Sequence, residues 1–461
     1  MQLLYRFRRT EALLGKYKEL ERQEIYFPSP GELNDPIEGF KDMFWLGDEI
    51  VWKNLIKHYL LCLESICETF LIDGENFLIA PVNIPVFKTA SDFPTPAYQG
   101  LYQEICELFF KNTLAAQWPH LLASRAGPIR RNELYAYLSS LHIYALNTIF
   151  AVYENHELMQ RRPDGDPFRR FEIRDVIGEG VKWANNKEER RPDVEDGIER
   201  FHATTRHLSS EANLTAMYNS PTETIAQKNR RMLFGRFPEE YLKCLERLVY
   251  PQWYAATFTG NYNNLSMWGH YGDGHKGVCL IFRTSTINDE PHLNLQGIDY
   301  RFYKIEYARK YPEIDFFGSM GVLPIPALNR CWYFDENKIR SRCAGALYDD
   351  EDAWRKRYWN TFHKGITTKL CSWSYEDEYR LIHTPGDIDV SEKSRRKLRY
   401  RFNDLDGIVF GIRTAEDAKS DIIRIIEGKC RSENRSDFKF YQAFYSRKDA
   451  QAEAAKMLLT F

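Results

Sequence analysis

Between Ile50 and Phe70 apolar side chains recur at Val51, Leu55, Tyr59, Leu63, Ile66 and Phe70, the spacing of one face of an α-helix. Tyr98 to Ala116 and Asn132 to Met159 repeat the pattern, and Pro238 to Val249 predicts another helix with proline in its first turn. On either side of this block the period falls to two. Leu3-Leu4-Tyr5-Arg6-Phe7-Arg8, Val278 to Phe282 and Phe438 to Tyr445 read as strands. The pattern therefore predicts an α+β core, supplied by residues 1–40 and 251–461, interrupted by a mainly helical insertion over 41–250.

Within the core, Glu11 to Glu21 predicts a helix and Glu24 to Phe27 a strand, stopped by Pro28-Ser29-Pro30. Leu33-Asn34-Asp35-Pro36-Ile37-Glu38 predicts a turn carrying two acids and an amide. Further strands are expected at Trp253–Thr259, Gly297–Tyr307 and Asp406–Gly411. Helices are expected at Asp349–Lys369, from a Thr414 cap to Gly428, and at Asp449–Leu459. Residues 161–200 are charged and poor in apolar groups (Arg161-Arg162, Arg169-Arg170, Glu188-Glu189-Arg190-Arg191), the composition of an exposed helix or mobile loop.

With 461 residues and 43% hydrophobic content the chain can bury a substantial core. A net charge of -2 excludes a general field for nucleic acid, so a polyanion would need a local patch. The densest basic run, Lys393 to Arg401 within Ser391 to Arg401, is the candidate. No apolar run reaches membrane-span length, the first residues lack a signal-peptide core, and nine scattered cysteines include no C-x-x-C pair. The expectation is a soluble cytoplasmic protein with reduced thiols and no membrane partner.

The stretch richest in chemistry is Cys371 to His383, read as one strand that places Ser374, Glu376, Glu378 and Arg380 on one face and Tyr375, Asp377 and Tyr379 on the other. Paired carboxylates perturb each other's pKa, an arrangement suited to stabilising positive charge or removing a proton. The glycine-rich loop Gly269 to Gly277 brings backbone close to a ligand but matches no phosphate-binding fingerprint. Its His270, Asp273 and His275 lack a recognised metal spacing, and no metal is assigned.

Five short motifs in order resemble a largely bacterial family known as domain of unknown function 2971. They are Leu4-Tyr5-Arg6-Phe7-Arg8; Ile25-Tyr26-Phe27 with Ser29-Pro30 and Asn34 to Glu38; Ser266 to Tyr271 with Gly277-Val278; Trp373 to Arg380; and Ile408 to Gly411. The likeness covers roughly 1–40 and 250–445, leaving out the helical block. A second resemblance is to ADP-ribosyltransferases of the arginine-serine-glutamate type, through Arg6, Ser266 and Glu376-x-Glu378 in that order. It implies a split mixed β-sheet, NAD as substrate, and transfer of ADP-ribose to a protein or nucleic-acid acceptor, or NAD hydrolysis, in a toxin or antiviral setting. On that reading the helical insertion chooses the target or a controlling partner. The implied roles are Arg6, with Arg8 competing, on the diphosphate; Ser266 as an orienting residue; Glu378 on the nicotinamide ribose; and Glu376 activating the acceptor. Tyr5, Trp268, His270 and Tyr375 are the aromatic candidates around the dinucleotide. Trp268 departs from the small hydroxyl residue typical of that class. The alternatives are a metal-dependent nuclease or nucleic-acid-binding protein using His270, Asp273 and His275, and a non-catalytic interaction protein.

Overall fold

The computed structural model describes residues 2–166, 169, 173–185, 192–386, 390 and 392–459. The chain divides into two units. A sheet unit comprises Met1–Phe40, Gln252–Pro312 and His363–Phe461, and a helical unit comprises Lys41–Pro251 and Glu313–Phe362. The segment 313–362, expected with the core, thus belongs with the helices.

The sheet unit is built on ten strands: β1 (Leu3–Arg8), β2 (Tyr254–Thr259), β3 (Val278–Arg283), β4 (Ser285–Ile287), β5 (Glu290–Leu295), β6 (Ile298–Lys304), β7 (Glu378–His383), β8 (Leu405–Phe410), β9 (Lys439–Ser446) and β10 (Gln451–Lys456). Their order across the sheet is β10, β9, β8, β3, β1, β2, β7, β6, β5, β4. β8 and β9 run parallel and the other neighbours antiparallel, so the sheet is mixed. One face buries Leu4, Phe258, Leu280, Phe302, Leu381 and Ile408 against Ile422 and Ile426 of the helix Glu416–Ser432; the other buries Phe7, Cys279, Ile281 and Val409 against Trp268. Alternation along β1 and β3 puts these apolar groups on opposite faces.

One irregularity positions the site. β1 pairs with β3 along its whole length, from Leu3↔Arg283 to Arg8↔Val278, but with β2 only at Tyr5↔Thr259. Beyond that pair β1 and β2 part, and the sheet opens. β3 begins immediately after Gly277, where a Cβ would lie 2.4 Å from the Arg8 carbonyl oxygen. Only glycine admits that approach.

In the helical unit the apolar stripe forms the helix Glu49–Asp73, with Val51, Leu55, Tyr59, Leu63 and Ile66 buried and the Asp48 carboxylate accepting from the Val51 amide as N-cap. It packs with Pro96–Phe110, Thr113–Ala123, Arg131–Asn155 and Phe237–Leu245. Within 161–200, Val176–Asn185 and Pro192–Asn219 are helical, while Arg170 and Glu188-Glu189-Arg190-Arg191 lie outside the described residues.

Several local expectations fail. Cys371–Glu376 is a 3-10 helix ended by Asp377 in the left-handed region (φ 41°), so the strand starts only at Glu378. The break is held by Gly260, whose amide donates to the Asp377 carbonyl oxygen at 3.0 Å. Gln451–Lys456 is a strand rather than a helix, because a turn at Ala450 (φ 53°) folds it back onto β9. Thr414 does not cap the following helix; its hydroxyl donates to the Gly277 carbonyl oxygen, and the cap position is Ala415. Asp349–Lys369 resolves into Gly345–Asp349, Glu351–Thr367 and a short strand Thr368–Leu370. Among the described residues no helix is long and apolar enough to cross a membrane.

Candidate active site

The parting of β1 and β2 creates a cavity of about 610 Å³, lined from β1 by Tyr5, Arg6, Phe7 and Arg8 and from β2 by Thr257, Phe258 and Thr259. Small-molecule sites run from roughly 300 to 1,000 Å³. Its walls differ in charge.

On the basic wall, Arg6 is 6% exposed; its Nη2 donates to the Tyr26 carbonyl oxygen at 3.3 Å and its Nη1 has no hydrogen-bond partner among the described residues. Its guanidinium lies 5.2 Å from the Phe258 ring centroid. Burial, and then the like charge of Arg8, lower its pKa to about 9, which leaves it protonated at neutral pH. Arg8 is held in a two-bond pair by Glu19. Lys393 and Arg396 both bond Glu32, which also accepts from the Tyr26 hydroxyl and the Ser29 amide. Burial opposes the Glu32 charge, but these donors outweigh it and hold the carboxyl well below the ordinary range.

On the acidic wall, Lys369 Nζ stands 2.6 Å from Glu376, 3.3 Å from Glu378 and 3.7 Å from Glu38. Arg380, fully buried, bonds Glu378 through Nε (2.7 Å) and Nη2 (3.0 Å), and Glu38 through Nη1 (2.7 Å) and Nη2 (2.9 Å). The Glu378 amide donates to the Tyr307 hydroxyl at 2.9 Å, and the Tyr271 hydroxyl makes a short bond to Glu376. Burial opposes charge on Glu378, but Arg380 and then Lys369 outweigh it and depress its pKa. Glu376 moves the other way, because burial lifts it further than Lys369 and Tyr271 lower it. Two neighbouring carboxyls pushed apart in this manner suit distinct roles, one fixed as an anion and one able to take a proton.

Of the residues singled out from sequence, Arg6, Arg8, Tyr5, Glu376 and Glu378 line this one cavity. The other four lie outside its lining. Ser266 is exposed in the first turn of a short helix, Leu265–His270, not on a strand. Trp268 is buried in the core, edge-on to Phe7 and donating from Nε1 to the Tyr262 carbonyl oxygen, so it offers no stacking surface. Exposed His270 faces Tyr375, whose ring lies in the 3-10 helix beside Trp373. What the helix Leu265–His270 supplies instead is an anchor: the Asn264 side chain caps it by accepting from the Ser266 and Met267 amides and donates to the Tyr375 carbonyl oxygen. Tyr271 follows immediately.

Glu38, Lys369 and Tyr271 were missed as site residues. Glu38 had a local signal in the Asn-Asp-Pro turn, where the Asp35 carboxylate accepts from the Ile37 amide. For Lys369 and Tyr271 the sequence offers none, since their partners are reached only through the folded sheet. The nuclease alternative gains no metal set: among the described residues no three His, Cys, Asp or Glu side chains gather to hold an ion. The basic run is largely engaged in ion pairs, with Lys393 and Arg396 sharing Glu32, Lys397 near Glu24 and Arg401 on Asp404; Ser391 lies outside the described residues.

Residues 267–381 match the family described as Protein of unknown function (DUF2971). The chain carries a DUF2971 segment. That segment contributes Tyr271, Lys369, Glu376, Glu378 and Arg380, whereas Arg6 and Glu38 precede it; the match is narrower than the five motifs. No curated protein and no solved structure matches the chain.

Proposed function

We propose that the sheet unit consumes NAD and transfers its ADP-ribose to a protein or nucleic-acid acceptor. The observation that carries this reading is the sharing of one cavity by a buried guanidinium with an unspent donor and an acid pair of opposite pKa shifts. NAD is anionic at its diphosphate and cationic at its nicotinamide, complementary to the two walls. Arg6 offers the forked donor geometry that suits a phosphate oxygen. Glu378, kept anionic by Arg380, faces the ribose as the C–N bond to nicotinamide breaks. The bonding pair leaves with nicotinamide, and a fixed negative charge beside the growing oxocarbenium lowers the barrier. The acceptor's lone pair then forms the new bond to the ribose carbon, and its proton passes to Glu376.

The test uses the full chain and doubly labelled NAD, scoring nicotinamide release and label transfer separately. Glu378→Gln is expected to lower release by roughly 10²–10³-fold, the scale of losing one preorganised charge. Glu376→Gln is expected to reduce transfer more than release. A Glu378→Gln protein that stays folded at the assay temperature and keeps full turnover would overturn the reading.

A further inference from the structure

The basic wall carries more charge than a diphosphate uses. Arg8 is spent on Glu19, whereas Lys393 and Arg396 share the single carboxylate of Glu32, leaving one positive charge over. Arg6 has its free Nη1, and Arg9, at the exposed end of the lining, has no hydrogen-bond or ion-pair partner among the described residues. Three cationic charges are therefore uncompensated. On the acidic wall Glu38, Glu376 and Glu378 pair with Lys369 and Arg380 as the cations among the described residues, leaving one negative charge. NAD satisfies the negative wall with its nicotinamide and two of the three cations with its diphosphate. One is left over.

These lining groups differ in exposure. Arg6, Glu376 and Glu378 are buried, while Arg9 is exposed and the Lys393 side chain is 72% exposed. With the nicotinamide ribose assigned to the buried acids and the diphosphate to buried Arg6, the cations of the lining left for the adenosine ribose are the exposed ones, Arg9 and Lys393. We infer that the preferred substrate is a dinucleotide bearing a further phosphate on its adenosine ribose, NADP, held by Arg9 and Lys393. This rests on the reading above. The cavity is concave and small-molecule sized, which favours a dinucleotide over a strand of nucleic acid.

The experiment titrates NADP and NAD separately into full-length Glu378→Gln protein, following tryptophan fluorescence and calorimetric heat. NADP is expected to bind about tenfold tighter, in keeping with one or two charge-assisted contacts at an exposed mouth, and the ratio should shrink as salt rises. Arg9→Ala together with Lys393→Ala should bring the ratio close to one. Equal affinities, tighter NAD, or a ratio untouched by the double substitution would overturn the inference while leaving dinucleotide binding intact. Binding of neither ligand by folded protein would overturn both. Should Glu378→Gln not fold, Glu376→Gln serves, read by the same two titrations.

Discussion

Arg380 spends its whole donor set. Its five N–H groups make five hydrogen bonds: two to Glu378, two to Glu38 and one, from Nη1, to the Ile366 carbonyl oxygen at 2.9 Å. No other side chain can bridge two carboxylates and a carbonyl in one plane. Lysine offers three donors around a single point and leaves one carboxylate buried without its partner. Breaking a buried ion pair on one side costs about 3–5 kcal/mol, because the remaining charge stays desolvated. Arg380→Lys should therefore lower unfolding stability on that scale, measured by urea denaturation, and should raise the Glu378 pKa. A substitution within about 0.5 kcal/mol of wild type would mean that water already shares the cluster. Glu38 and Glu378 are both held by Arg380, which fixes Glu378 as an anion in the cavity lining, whereas Glu376 bonds Lys369 and Tyr271 among the described residues and retains acceptor capacity.

At the scale of elements, what could be read from sequence followed locality. β1, β3 and β8 carry their own alternation or apolar run, and the helix Glu49–Asp73 its own stripe and cap. Cys371–Glu376 has the aromatic composition of a strand and still coils, because Gly260 and Asp377 fix a turn that composition does not encode. Gln451–Lys456 has alanines at helical frequency, yet becomes a strand by pairing with β9, a tertiary contact that outweighs propensity. The site divides in the same way: Arg6, the acid pair and the Asn-Asp-Pro turn before Glu38 stand out locally, while Lys369 and Tyr271 become visible only when the chain closes. Gly277 shows how one residue governs an element. A Cβ there would meet the Arg8 carbonyl oxygen at 2.4 Å and the Gly272 carbonyl oxygen at 2.9 Å, all backbone that cannot swing aside. Gly277→Ala should push β1 from β3, costing about 1–3 kcal/mol as overpacking does, and displace Arg6 from the cavity. Thermal unfolding and NAD titration would report both; an unchanged melting midpoint would show that the strands can part freely.

For the whole molecule, the two units hold charge differently and should answer acid differently. In the helical unit His58 accepts from the Tyr241 hydroxyl at Nδ1 (2.8 Å) and donates from Nε2 to the Val86 carbonyl oxygen (2.9 Å). His142 repeats the pattern with the Tyr59 hydroxyl (2.8 Å) and the Leu233 carbonyl oxygen (2.7 Å). These partners fix the neutral tautomer, since a carbonyl can only accept. Burial lowers both pKa values from 6.5 to about 4. The unfolded chain then binds more protons than the folded one between those pH values, so stability is lost as pH falls from 6.5 to 4, by about 3 kcal/mol per histidine. Glu64 works in the opposite direction: burial raises it to about 7, and its protonation relieves about 3 kcal/mol as pH falls from 7 to 4.5. Among these three most strongly shifted groups, two histidines against one glutamate leave a net loss of about 3 kcal/mol. In the sheet unit burial also lowers His275, His363 and His383, but these are only partly buried where His58 and His142 are fully enclosed. Glu32 and Glu378 are depressed, so their contribution is lost only as pH falls below the ordinary carboxyl range. The helical unit should therefore open first on acidification, with hydrogen exchange at pH 5 rising in Glu49–Asp73 and Arg131–Asn155 before it rises in β1, β3 or β8. Glutamine can supply the same acceptor and donor without titrating, so a His58→Gln, His142→Gln protein should lose that early opening; exchange that rises in both units together, in wild type, would refute a histidine origin.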